Sequence, residues 1–352
     1  MKIAIAAGGT GGHIYPALTL AEALKERGHE IVFFGSSDRM EKDIIPASEF
    51  EFVALDVHST QGGIINKIRS VLSIFRSFFE CRKLLKGYDM VIGFGNYISI
   101  PVVLAGRANG AKTVIHEQNS FAGKANKFLD RRVDLVIGSY EEDREQFRNP
   151  HTLILGNPQS YRATRIKKEA DTLRKLGLRD DKKTIVIFMG SLGSESVNRI
   201  LKEYFRMLDG SYQVVYATGR NYYEEDKRDI EEKEYLKVFE RIDGIRVMRS
   251  SDLLISRAGA TTLCEITSLG MPAILIPSPY VPNNHQYHNA MSLVDKDAAV
   301  MIEEKDLSAE KLFATVRDII DDDERLGRLR INARRMANDE VVKDIVREIE
   351  KL

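Results

Sequence analysis

Two cysteines in 352 residues, Cys81 and Cys264, lie far apart with no His or Cys neighbour at metal-ligand spacing, which excludes a disulfide framework and a zinc site. A reducing cytoplasm is the expected setting. Neither charge sign dominates: 52 basic and 52 acidic residues cancel, which removes any global electrostatic case for a nucleic-acid partner. No apolar run is long enough to span a bilayer, and the chain opens on a strand pattern rather than a signal peptide. The expected protein is soluble or sits on a membrane surface. What is present is a hydrophobic content of 43%, enough for two cores, in a chain whose length calls for two domains.

Short apolar runs alternate with helical patterns. Residues 3–7, 31–34, 90–93, 113–116, 135–138 and 152–155 read as buried parallel strands, with helices such as 16–27, closed by Gly28, between them. A second series reads as strands over 184–189, 213–217, 244–248, 252–255, 273–277 and 298–302. The turn Gly156-Asn157-Pro158 and the charged stretch 161–183 mark the junction. The predicted fold class is α/β, two Rossmann-like doubly wound domains over 1–158 and 159–335, followed by a closing helix over 336–352. Val341, Val342, Ile345, Val346, Ile349 and Leu352 give that last helix one apolar face. The C-terminal ends of both sheets are able to face one cleft, where open α/β sheets bind ligands.

Three glycine turns follow strands. Gly8-Gly9-Thr10-Gly11-Gly12-His13 lacks the third glycine of a dinucleotide fingerprint, where Ile14 stands, and lacks the lysine of a Walker loop, where His13 stands. It suits close approach to an anion such as phosphate, or serves as a packing turn alone. Gly190-Ser191-Leu192-Gly193-Ser194 is the second. The third, Ser256-Arg257-Ala258-Gly259-Ala260-Thr261-Thr262-Leu263-Cys264-Glu265, suits a diphosphate, with Glu265 placed to accept from both ribose hydroxyls. Thr262-x-x-Glu265 equally matches a helix capping box.

Farther on, Asn283-Asn284-His285-Gln286-Tyr287-His288-Asn289 is dense in directional donors and acceptors, as sugar hydroxyls require, or is a polar helix start. His116-Glu117-Gln118-Asn119 puts an acid and two amides at a strand end, and His13 is a second candidate base. The acids of 295–297 and 321–323 sit in charged helical surroundings and read as solvated surface, so no metal site and no cofactor is expected.

Residues 64–86 mix Ile64, Ile65, Ile68, Leu72, Phe75 and Phe79 with Arg76, Arg82, Lys83 and other bases, against the single acid Glu80. Such a helix can lie in the interface of an anionic membrane, or be an ordinary crossover helix packed on the sheet.

In order along the chain, Gly8 to His13, His116 to Asn119, Gly156-Asn157-Pro158, Gly190-Ser191-x-Gly193 with Asn198, Arg257-x-Gly259-Ala260-x-Thr262-x-x-Glu265 and Gln286-x-x-Asn289 resemble the MurG family of GT-B glycosyltransferases. That resemblance implies an inverting transfer of N-acetylglucosamine from UDP-N-acetylglucosamine to the muramic 4-hydroxyl of polyprenyl-linked lipid I. The product is lipid II for peptidoglycan and cell-wall synthesis, made at the cytoplasmic face of the inner membrane by a peripheral enzyme. It implies that Ser191 and Ala260, Thr261, Thr262 and Leu263 face the diphosphate, that Glu265 takes the ribose, and that His285, Gln286 and Asn289 attend the sugar. Thr10, Gly11, Gly12 and Asn119 complete the donor site, with Asn198 in the second turn's motif, Ile242 reaching uracil through its backbone and Arg162 standing for a donor-contacting arginine. His13 and Glu117 are the candidate bases. Asn96 replaces a glycine usual in the family's acceptor-side loop, and Arg241 an aromatic neighbour of Ile242. A GT-B enzyme acting on another lipid or small-molecule acceptor, and a non-catalytic nucleotide-sugar-binding protein, are the alternative readings.

Overall fold

The apolar runs assemble into two parallel sheets in a computed structural model that describes residues 1–58, 64–281 and 284–352, with side chains left out at 64, 65 and 67. The chain divides into one unit of Met1–Tyr161 with Glu340–Leu352 and a second of Arg162–Asp339. In the first unit, strands β1 (Lys2–Ala6), β2 (Glu30–Ser36), β3 (Glu51–Leu55), β4 (Met90–Gly93), β5 (Lys112–His116), β6 (Leu135–Gly138) and β7 (Thr152–Ile154) take the order β3-β2-β1-β4-β5-β6-β7. Ile3 pairs with both Ile31 and Met90. Successive side chains leave opposite faces, so Ile3 and Ile5 join Ile14, Leu20 and Leu24 on one side while Ala4 and Ala6 join Val91, Ile98 and Val102 on the other. Burial on both faces is why these strands are apolar throughout. The edge strand β3 is less covered, with Glu51 and Ala54 exposed, Phe52 and Val53 half-buried and Leu55 buried, and is not among the strands expected from the sequence.

The terminal helix Val341–Glu350 belongs to this first unit although it follows the whole second unit in sequence. It buries Val341, Val342, Ile345, Val346 and Ile349 against the core that contains the helix Gly11–Glu26. Each such side chain contributes about 1.5–3 kcal/mol.

In the second unit, β8 (Thr184–Phe188), β9 (Gln213–Ala217), β10 (Leu236–Phe239), β11 (Leu253–Ser256), β12 (Ala273–Leu275) and β13 (Val300–Met301) run parallel in the order β10-β9-β8-β11-β12-β13. The expected strand at 244–248 is instead the helix Gly244–Arg249, and the strand lies earlier, at β10. Asp243 decides this locally: its side chain accepts from the Arg246 N–H at 3.3 Å and caps the helix. In both sheets the strand order reverses beside the first strand, between β1 and β4 and between β8 and β11, which opens a crevice at the carboxyl ends.

Candidate active site

The first glycine turn leaves β1 at its unit's switch point. Thr10 is the N-cap of the helix Gly11–Glu26, yet its hydroxyl makes no capping bond and pairs instead with His13 Nδ1 at 3.0 Å. Gly9 has φ 87°, a conformation that favours glycine. Across the switch point, a Cβ at Gly95 would lie 3.5 Å from His13 Nε2 and 3.4 Å from Asn126 Nδ2, so glycine lets the two loops approach. Asn96 takes φ 64° and thereby keeps the left-handed backbone that a glycine would adopt. Thr10 is exposed, and Gly11, Gly12 and His13 are half-buried.

Beside them, after β5, Glu117 is 2% exposed and accepts five hydrogen bonds. Its Oε1 takes the N–H of Gln118 and Asn119 and the Asn119 amide at 3.0–3.1 Å, and its Oε2 takes the Gly123 N–H and the Asn126 amide at 2.9 Å. A carboxylate so engaged organises the 117–126 turn, and Asn119 is held half-buried within it. His116 is fully buried, its Nε2–H donating to the Gly156 carbonyl and its Nδ1 accepting from Gln118, each at 3.0 Å. Burial lowers its pKa to about 4, so the ring is neutral. Burial pushes Asp143, which accepts the Ser139 and Tyr140 N–H groups, up to about 7. Asn126, which donates to both the His116 carbonyl and Glu117, escaped the sequence reading because no local motif marks it.

In the second unit, the turn after β8 exposes Ser191 and folds back on 218–219: a Cβ at Gly193 would fall 2.3 Å from the Thr218 carbonyl oxygen. Asn198 does not reach this surface. It is 3% exposed and its amide donates to Asp226 at 3.0 Å, alongside the Tyr216 hydroxyl, so its placement contradicts a direct ligand contact.

After β11, Gly259 is the N-cap of the helix Ala260–Leu269, which makes Thr262 the third helical residue and removes the capping box as an account of Glu265. The first turn of that helix, from Ala260 through Thr261 and Thr262, lies at the strand end, with Glu265 half-buried one turn on. The Leu263 side chain is buried and its N–H already bonds to the Gly259 carbonyl, so this residue packs. Asn289 is fully buried with its amide on the Ala258 carbonyl at 3.1 Å, holding the turn rather than facing outward; this corrects its expected sugar contact. Gln286 Oε1 accepts the Ser278 N–H at 2.9 Å, and His285 opens the helix His285–Val294. Ile242 is half-buried beyond β10, and Arg162 is half-buried in the helix Gln159–Arg165.

The sequence reading missed a bridge across this second switch point. Arg257 donates to the Ser194 hydroxyl at 2.6 Å and to the Ile276 carbonyl at 3.1 Å, and pairs with Glu304 at 2.6 Å. Ser196 closes the set onto Glu304. The Arg257 charge is thus met within the unit by Glu304. Among the described residues no three His, Cys, Asp or Glu side chains gather as metal ligands, and the acids of 321–323 serve as an N-cap at Asp322 and ion-pair partners at Asp321 and Asp323.

The helix Ile64–Leu84 turns the usual arrangement inside out. Ser70, Ser73, Ser77 and Cys81 are buried, while Ile68, Val71, Leu72, Phe75 and Phe79 are 49–64% exposed among exposed Arg76, Arg82 and Lys83. The side chains of Ile64 and Ile65 lie outside the described residues. Phe121 and Phe128, also exposed, carry Lys127 and Arg132 over their rings at 4.2 and 4.5 Å. No described helix is long and apolar enough to cross a membrane.

Residues 3–137 match the model of the glycosyltransferase family 28 N-terminal domain and residues 184–349 that of the family 28 C-terminal domain. The chain is 38% identical to a UDP-N-acetylglucosamine–N-acetylmuramyl-(pentapeptide) pyrophosphoryl-undecaprenol N-acetylglucosamine transferase of Halothermothrix orenii, over 96% of this chain and 95% of that protein. It is 35% identical to the protein of the same name from Pediococcus pentosaceus, over the full length of both. Among solved structures, Acinetobacter baumannii MurG shares the fold with a TM-score of 0.75 at 24% identity, covering 100% of this chain and 99% of that one. With both domain models matched and the relatives aligned end to end, the chain belongs to glycosyltransferase family 28.

Proposed function

We propose that the protein moves N-acetylglucosamine from UDP-N-acetylglucosamine to the muramyl 4-hydroxyl of an undecaprenyl-pyrophosphoryl acceptor, lipid I, with inversion at the anomeric carbon. The observation that carries this reading is the match, at 35–38% identity and nearly full length, to relatives named for that transfer. The second unit is the nucleotide carrier: Ser191 and the helix start at Ala260, Thr261 and Thr262 stabilise the diphosphate as it leaves, and Glu265 accepts from the ribose. Gln286 and His285 attend the sugar, and the Ile242 backbone the uracil. In the first unit, His13 is the base. Thr10 Oγ1 lies 3.0 Å from Nδ1, and in the tautomer that carries its proton on Nδ1 it is Nε2 that takes the acceptor proton. Glu117 is assigned a positioning role, because its lone pairs already meet five donors.

Incubation with labelled UDP-N-acetylglucosamine, with and without a lipid I analogue, tests the reading. Acceptor-dependent UDP release is expected. Transfer only to a different acceptor, or donor binding without turnover, would overturn it. In the same assay Glu265→Ala is expected to raise donor KM by roughly tenfold or more, since a hydrogen bond to a charged acceptor contributes about 1.5–3 kcal/mol. An unchanged KM would remove Glu265 from the donor site.

The exposed apolar and basic face of the helix Ile64–Leu84 supports peripheral attachment to the anionic cytoplasmic membrane surface, where each base adds about 1 kcal/mol. Binding to anionic vesicles is expected to weaken as salt rises, because the attraction decays within about 8 Å at physiological ionic strength. Reversing Arg76, Arg82 and Lys83 to Glu is expected to lower vesicle binding and use of membrane-embedded acceptor while a short-chain soluble acceptor is still used. Equal binding to neutral and anionic vesicles would overturn this assignment.

A further inference from the structure

The peptide bond joining Gly8 to Gly9 is held at both of its polar edges by side chains from elsewhere in the first unit. Its carbonyl oxygen, on Gly8, accepts from Asn96 Nδ2 at 3.0 Å. Its N–H, on Gly9, donates to Glu41 Oε2 at 2.9 Å. Glu41 has no solvent exposure, and its other oxygen accepts the Ser36 N–H at 3.0 Å, which anchors the carboxylate to the end of β2. Asn96, in turn, is fixed by its left-handed backbone and by its Oδ1, which accepts the Tyr97 N–H at 2.6 Å.

The fit is close on both sides. A Cβ at Gly8 would lie 2.2 Å from Glu41 Oε1, and one at Gly9 would lie 2.0 Å from Asn96 Nδ2. The two glycines are therefore required by the clamp itself, apart from any ligand. A peptide plane gripped by a donor on its carbonyl and an acceptor on its N–H cannot rotate without losing both bonds in a partly buried setting. Thr10 and His13 follow within one turn, so the direction of this plane sets the entry angle of the helix Gly11–Glu26 and with it the aim of His13.

We infer that Glu41 and Asn96 are positioning residues for the reaction, acting through the peptide between Gly8 and Gly9 to preorganise the Thr10–His13 pair. The inference rests on the reading of the glycine turn as part of the active site. Fixed geometry of this kind acts on turnover more than on substrate binding.

Asn96→Asp separates this role from a purely structural one. The aspartate retains the left-handed backbone and the acceptor for the Tyr97 N–H, so the melting temperature is expected to fall by no more than about 4 °C. Where the amide donated to the Gly8 carbonyl, a carboxylate oxygen now faces it, and kcat is expected to fall about tenfold with donor KM little changed. Asn96→Gly, which loses the donor without adding repulsion, is expected to fall between the two. Amide hydrogen exchange at Gly9 gives a readout independent of turnover and is expected to be about tenfold faster in Asn96→Asp and in Glu41→Gln than in the wild type. Wild-type kcat in Asn96→Asp, a loss of kcat that only follows a lowered melting temperature, or unchanged Gly9 exchange would overturn the inference. Absence of turnover in the wild type would instead count against the proposed function, and the exchange measurement would still decide the clamp.

Discussion

His13→Ala is expected to lower kcat by roughly 10²–10⁴ while donor binding and the melting temperature stay near wild-type values, because a general base contributes about that much to turnover. The ring is half-buried and is not among the side chains of the first unit's hydrophobic cores. Thr10 holds Nδ1 at 3.0 Å, and in the proposed role Nε2 is the nitrogen that meets the acceptor. Steady-state kinetics with a soluble acceptor, together with donor titration monitored separately, checks both halves of the expectation. A variant with near-normal kcat would remove His13 from the chemistry and pass the proton to water or to another group.

Glu117→Ala is expected to act differently, as a loss of fold before a loss of chemistry. Five donors converge on this carboxylate at 2.9–3.1 Å in a setting only 2% exposed, and truncation strands them. Each unsatisfied buried donor costs about 1–3 kcal/mol, and after local relaxation the total is expected at about 3–5 kcal/mol. For a unit of this size that corresponds to about 10 °C in melting temperature. Glu117→Gln is expected to lie between, since its carbonyl oxygen still serves three donors while its NH₂ meets two others head-on. Thermal unfolding beside kcat decides the role: a normal melting temperature with kcat reduced as far as in His13→Ala would return Glu117 to the position of base.

The contrast between these two residues marks how far a one-dimensional reading reaches. The strands were legible because both faces of each parallel sheet are covered, so β1, β4 and β6 are apolar at every position that matters. The glycine turns were legible because a left-handed backbone selects glycine, as at Gly9 and Gly193. The strands β3 and β10 were missed, β10 because an edge position lets it alternate as Leu236-Lys237-Val238-Phe239, and 244–248 was misread because Ile245, Val247 and Met248 suit a strand or a short helix equally until Asp243 is seen to cap it. The sequence motifs also could not say which polar residues point outward. Asn198 and Asn289 sit in motifs beside Ser191 and Glu265, yet both turn inward, one onto Asp226 and the other onto the Ala258 carbonyl.

What the amino-acid order determined by itself is therefore local and periodic: where most strands and turns fall, that two α/β units are present, and that residues 64–86 mix apolar and basic residues in a way that suits either a membrane surface or an ordinary crossover helix. Tertiary structure decided everything that depends on distant residues meeting. It folded Val341–Glu350 back onto the first unit, put Ser70, Ser73 and Ser77 inward so that Phe75 and Phe79 face out, and brought Arg257 to Glu304. It also set Glu41 and Asn96 on the two edges of one peptide in the glycine turn. The physical reason is that periodicity and turn preference act over a few neighbouring residues, whereas the pairing of a buried carboxylate with its donors is settled only when strands far apart in sequence come to lie side by side.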